Sequence, residues 1–78
     1  MEVGEIEKRV TKVIDVEMVG DPWEFHHDLN DDMHMDSLDR SSILVEIETE
    51  FGIDIFPGEV EDITTPRKLV ELVQEKLN

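Results

Sequence analysis

An all-α fold is what this sequence predicts: a four-helix bundle with a short third helix and a long first loop. Three observations carry that expectation. Apolar residues recur at three- and four-residue intervals in three segments, Ile6-Val10-Val13-Ile14, Ile43-Ile47-Phe51 and Leu69-Leu72-Val73. That interval is the period of one helix face. Helix punctuation brackets those segments, at Gly20-Asp21-Pro22, Asp36-Ser37, Gly52 and Thr65-Pro66. Strand-like patterning is almost absent, and only Val13-Ile14-Asp15-Val16 would also suit a strand.

The first helix runs from Glu2 to about Met18, with Val3, Ile6, Val10, Val13 and Ile14 at helical spacing. Gly20-Asp21-Pro22 stops it, because a proline disfavours helical geometry in the residue before it. The stretch that follows to Met35 is irregular and polar, a loop with Trp23, Phe25 and Leu29 as its packing anchors. The second helix runs from Ser37 to Phe51. Asp36 is its N-cap, and Asp39 holds the capping-box position with a shorter side chain than the usual Glu. Gly52 suits the helix end. Ile53 and Ile55 lie on a short connector, and Pro57 opens a third helix, roughly Gly58 to Asp62. Thr65 caps the last helix, Pro66 suits its first position, and Leu69, Leu72, Val73 and Leu77 form its buried stripe.

Composition bounds what this fold can do. Seventy-eight residues make one domain, residues 1–78, with no room for two cores. A domain of this size buries about 60% of its unfolded surface, so its stability is modest. The chain has no cysteine, hence no disulfide and no thiol chemistry of its own. No run reaches membrane-span length, and the N-terminus lacks the basic-then-apolar pattern of a signal peptide. A cytoplasmic monomer is expected. The formal net charge is −14, from 21 acidic and 7 basic residues. Such a surface repels phosphate backbones and anionic lipid and attracts proteins with Lys- and Arg-rich patches. Self-repulsion should make stability rise with salt.

Ser37 stands where the polar loop turns into the second helix. A helix N-terminus offers unpaired N–H groups and partial positive charge, which suit a phosphate. As a catalytic nucleophile Ser37 has little support: there is no Gly-x-Ser-x-Gly elbow, and no histidine is placed as its oriented base.

His34-Met35-Asp36-Ser37-Leu38-Asp39 resembles the prosthetic-group site of the acyl carrier proteins, which carry 4′-phosphopantetheine on the serine of an Asp-Ser-Leu motif. The resemblance extends to Asp31-Asp32-Met33 before the site, to Glu48-Thr49-Glu50-Phe51 closing the helix, and to Ile63-Thr64-Thr65 before the last one. Ile6, Arg9, Val10 and Lys12 match the usual first helix, so nearly the whole chain is covered. The resemblance implies that Ser37 receives the arm from coenzyme A through a phosphopantetheinyl transferase. The chain itself is then no enzyme. It holds an acyl group as a thioester and delivers it to acyl-transferring and condensing enzymes with basic patches. Fatty-acid, polyketide and specialised acyl or aminoacyl pathways all remain open.

By the same resemblance, partners read Asp36, Leu38 and Asp39, and the outward residues Leu44, Val45 and Glu48 further along. The carboxylates set on-rate and register more than affinity. A bundle lined by Phe51, Ile55, Val60, Ile63 and Leu69 could open to shelter an acyl chain. The chain also departs from the family. His34 stands where glycine is usual, and Met35 where a small residue is common. Ser41 and Ser42 replace an apolar-acidic pair, and Arg40 adds a positive charge. These changes are expected on the partner-facing side, as in a carrier devoted to one pathway.

A different class competes for the same residues. Asp28, Asn30, Asp32, His34, Asp36 and Asp39 fall at positions 1, 3, 5, 7, 9 and 12 of a calcium-binding EF-hand loop. Met33 takes the place of its required glycine, Asp39 that of its bidentate glutamate, and the incoming helix is missing. The alternative to a carrier is thus an acidic EF-hand-like or regulatory module. His26, His27 and His34 are too few for tetrahedral zinc. Lys8, Arg9, Lys12, Arg67 and Lys68 do not cluster as a nucleic-acid surface does.

Overall fold

The apolar spacing becomes four helices and no strand in the computed structural model, which describes residues 1–78: α1 (Val3–Met18), α2 (Ser37–Phe51), α3 (Pro57–Val60) and α4 (Pro66–Leu77). Ile6, Val10 and Ile14, four residues apart, are fully buried on α1. Against this stripe pack both α2 and α4. From α2 come Ile43, Ile47 and Phe51, and from α4 Leu69, Val70 and Val73. Every buried residue is apolar, and the one buried side-chain polar atom without a partner is Arg40 Nε, on a half-buried residue.

The caps act as the sequence requires. Asp39 N–H donates to Asp36 Oδ1 at 2.9 Å, and Asp36 N–H to Asp39 Oδ2 at 3.3 Å, completing the capping box with the shorter acid. Gly52 turns left-handed (φ 65°) and its N–H donates to the Glu48 carbonyl at 2.8 Å. Arg9 reinforces that end from α1, donating to the Glu50 carbonyl and to Glu50 Oε2, each at 2.7 Å. Thr65 Oγ1 accepts from Lys68 N–H at 3.1 Å, and Pro66 begins α4.

The long loop is tied down by its anchors. Leu29 is buried, while Trp23 and Phe25 lie half-buried against the core. Trp23 Nε1 donates to Asp15 Oδ1 at 2.7 Å, and its ring meets Phe25 edge-on at 5.1 Å. Leu29 N–H donates to the Thr64 carbonyl, and Arg67 N–H to the Phe25 carbonyl. The loop is thereby stitched to the turn before α4.

α1 ends at Met18 as expected, with Val19 in the left-handed conformation (φ 52°) ahead of Gly20 (φ 86°). Two expectations need correction. α3 ends at Val60, because Asp62 N–H turns back to the Glu59 carbonyl and closes the tighter kind of turn found at helix ends. On α4, Val70 is buried while Leu72 and Leu77 are only half so. The buried set Pro66, Leu69, Val70 and Val73 faces α1, and Leu72 and Leu77 sit at its margin.

Candidate functional site

Ser37 is the first residue of α2 and is exposed. The backbone before it alternates inward and outward: Met33 and Met35 are buried, while His34 and Asp36 are exposed. Met35 N–H also donates to the Leu29 carbonyl at 2.9 Å. Two buried methionines thus moor the segment that presents Ser37. His34 adopts φ 58°, in the region that glycine enters freely and most residues do not. The usual glycine at this place therefore has a backbone cause, and His34 meets the same demand with a side chain attached.

Asp36 caps only the N–H of Asp39, leaving those of Ser37 and Leu38 without an acceptor in the fold. Two free donors, the helix dipole and an outward hydroxyl thus coincide at one point. The arrangement suits a phosphodiester on Ser37 Oγ.

The surrounding face divides the remaining residues. Leu38 and Val45 are 77% and 57% exposed, and Asp36 is exposed beside them. Leu44 instead turns inward and packs on the core. Glu48 is half-buried, its Oε2 accepting from Ile55 N–H at 2.9 Å. Asp39 is held in the capping box. Sequence reasoning missed what lies across from Leu38 and Val45: α1 contributes Val16, 75% exposed. Between α1 and α2 lies a surface hollow of about 640 Å³, walled by Val13, Val16, Leu38 and Val45 with Ser41 and Ser42 between them. Glu17, Glu46 and Glu50 also line it, with Lys12 the single cation among them. Val16 was detectable as an apolar residue off the Ile6-Val10-Ile14 stripe.

Two expected partner-facing departures face inward. Met35 is buried. Arg40 points away from the hollow, and its Nη2 donates to the carbonyls of Val60 at 3.2 Å and Ile63 at 2.8 Å. Arginine is long enough to bury its stem while its head finds acceptors across a helix interface.

The calcium-loop spacing does not assemble a site. Asp28 Oδ1 accepts from the N–H groups of Asn30 and Asp31, each at 2.8 Å, and Asp32 Oδ2 from Asp28 N–H at 2.7 Å. Asp36 and Asp39 cap α2 instead. No three His, Asp or Glu side chains converge as metal ligands. His26 and His27 meet edge to face at 4.8 Å, and His27 Nδ1 accepts from Glu24 N–H. No helix is long and apolar enough to cross a membrane.

Comparison with known proteins shows the family. The family model described as the phosphopantetheine attachment site matches residues 3–73. An acyl carrier protein of Buchnera aphidicola subsp. Acyrthosiphon pisum (strain Tuc7) is 33% identical over 73 residues, spanning 91% of each chain. That of Petrotoga mobilis (strain DSM 10674 / SJ95) is 42% identical over 48 residues, 62% of this chain and 56% of that protein. A match across nearly the whole chain places it among the acyl carrier proteins, the family that bears its cargo on phosphopantetheine.

Proposed function

We propose that Ser37 is the attachment residue and that the chain acts as a monomeric, non-catalytic cytoplasmic carrier. The observation that carries this reading is an exposed serine at the first position of α2 beside two unpartnered backbone N–H groups. In the loading step Ser37 Oγ forms a bond to the pantetheine-bearing phosphorus of coenzyme A. The phosphoanhydride bond breaks, adenosine 3′,5′-bisphosphate leaves, and the transferase takes the hydroxyl proton. The N–H groups of Ser37 and Leu38 then face the new phosphodiester. The attached arm supplies a terminal thiol that holds acyl groups as thioesters. Tethering raises their concentration at each partner's active site without new contacts.

Partner enzymes would read Asp36, Leu38, Asp39 and Val45, the outward part of the α2 face. The Val16–Leu38–Val45 hollow supports this, since three exposed aliphatic side chains surround it and Glu17 and Glu46 lie on the same face. An apolar knob flanked by Lys or Arg fits that pattern. Leu44 and Glu48 have duties inside the fold and drop out of the proposed surface.

Incubation with coenzyme A and a promiscuous phosphopantetheinyl transferase, read by intact mass, tests the attachment. Wild type should gain one phosphopantetheine and Ser37→Ala none. Wild type that stays bare, or a Ser37→Ala protein that is still loaded, would refute it.

A further inference from the structure

Arg40 is the one charged side chain that α2 turns toward the α3–α4 connection. It forms none of the ion pairs of the fold, which join Arg9 to Glu50, Arg67 to Glu7 and Lys76 to Glu59. Its Nη2 instead holds the carbonyls of Val60, the last residue of α3, and Ile63, the buried residue before α4. Its Nε is buried and has no acceptor. The same side chain lines a small apolar cavity with Leu29, Ile43, Leu44, Ile63 and Leu69, of only about 10 Å³. That is about the least volume that admits one water, far too little for an alkyl chain.

An acyl chain could enter here only by lifting the α3–α4 connection off α2. Two hydrogen bonds from a charged donor oppose that opening. Arg40 is only half-buried, so a chain that did enter would also press hydrocarbon against its guanidinium and strip the solvation that the head still keeps. An aliphatic residue at this place would oppose neither step.

We propose that Arg40 is a cargo-selecting residue: it pins the α3–α4 connection to α2 and bars aliphatic chains from the bundle interior. The cargo then stays in water on the end of its arm, and the acyl groups suited to this carrier are short or polar ones. This rests on the attachment reading above, and its test separates the two.

Wild type and Arg40→Met are loaded with acetyl or octanoyl arms from the corresponding coenzyme A thioesters and a promiscuous transferase. Intact mass reports loading before anything else is measured. A protein that never loads overturns the attachment reading, and this proposal falls with it. With loading in hand, amide spectra and melting temperatures compare octanoyl with acetyl forms. In wild type the amides of Ile43, Leu44, Ile63 and Leu69 should not move between the two cargoes, and the melting temperatures should match. In Arg40→Met those amides should shift with octanoyl, and the octanoyl form should melt higher than the acetyl form, as expected when an apolar ligand binds the folded state alone. Octanoyl-dependent shifts of these amides in wild type overturn the proposal while leaving Ser37 as the attachment point. Silent amides in a folded Arg40→Met protein overturn the role of Arg40. Should Arg40→Met fail to fold, Arg40→Lys keeps the charge but loses the fork that reaches two carbonyls, and the same comparison applies.

Discussion

Replacing Val19 with glycine should stabilise the fold, and the size of the gain follows from its backbone. Val19 terminates α1 at φ 52° and ψ 43°. For a residue with a Cβ this left-handed conformation costs about 1–2 kcal/mol, and a β-branched residue is a true outlier there. The side chain is 86% exposed, so its removal forfeits little buried surface. Against the relief stands the greater freedom of glycine in the unfolded chain, about 0.4–1 kcal/mol. The balance favours Val19→Gly by about 1 kcal/mol, or about 4–8 °C in melting temperature for a domain of this size. Val19→Ala keeps the Cβ and should lie within about 0.5 kcal/mol of wild type, with Val19→Asn between the two. His34 has a similar φ of 58° but belongs to a residue type that tolerates the region better, so His34→Gly should gain less than Val19→Gly. Urea and thermal melts on the purified proteins measure the series. A Val19→Gly protein that melts at or below wild type would refute the reasoning.

Three other outcomes are expected. Asp36→Ala should cost about 1 kcal/mol through loss of the α2 cap, whereas Asp36→Asn keeps the acceptor and most of the stability. If partners read the carboxylate, Asp36→Asn should still load more slowly in a transferase assay, and equal loading rates would remove Asp36 from the docking surface. Glu59 carries a pH signature. The Phe56 N–H first, and the Lys76 ammonium at 2.9 Å second, hold its carboxyl below the ordinary 4.5. A lowered folded pKa gives stability that is present at neutral pH and lost as pH falls below 4.5 through the folded value. Glu59→Gln should therefore melt below wild type at neutral pH, with the gap closing in acid; a gap that persists there contradicts the assignment. Last, a net charge of −14 within a radius of gyration of 11.4 Å should be screened once the Debye length falls to about 10 Å, near 0.1 M salt. Melting temperature should rise with sodium chloride from low ionic strength, and a flat profile would show that self-repulsion does not limit stability.

Local chemistry was legible in the sequence, and it placed the candidate attachment residue. The bounds of α2, the Asp36–Asp39 capping box, Gly52 and the Thr65-Pro66 start of α4 depend on interactions spanning three or four residues. Side-chain type at one position suffices to specify them. That is why Ser37 could be placed at the head of a helix before any fold was known. Direction was harder. Leu44 and Val45 are neighbours on the same apolar margin, yet one packs inward and the other faces water. The choice belongs to where α1 and α4 lie, not to α2 itself. Val16 had an apolar identity but no helix to cover it, and so became the wall of a hollow. Arg40 is the clearest case. A charge on α2 reads as surface, because only the tertiary structure reveals two carbonyls, 20 and 23 residues further along the chain, waiting within its reach. Capping is settled by neighbours in sequence, whereas the side of a helix that goes dark is settled by neighbours in space.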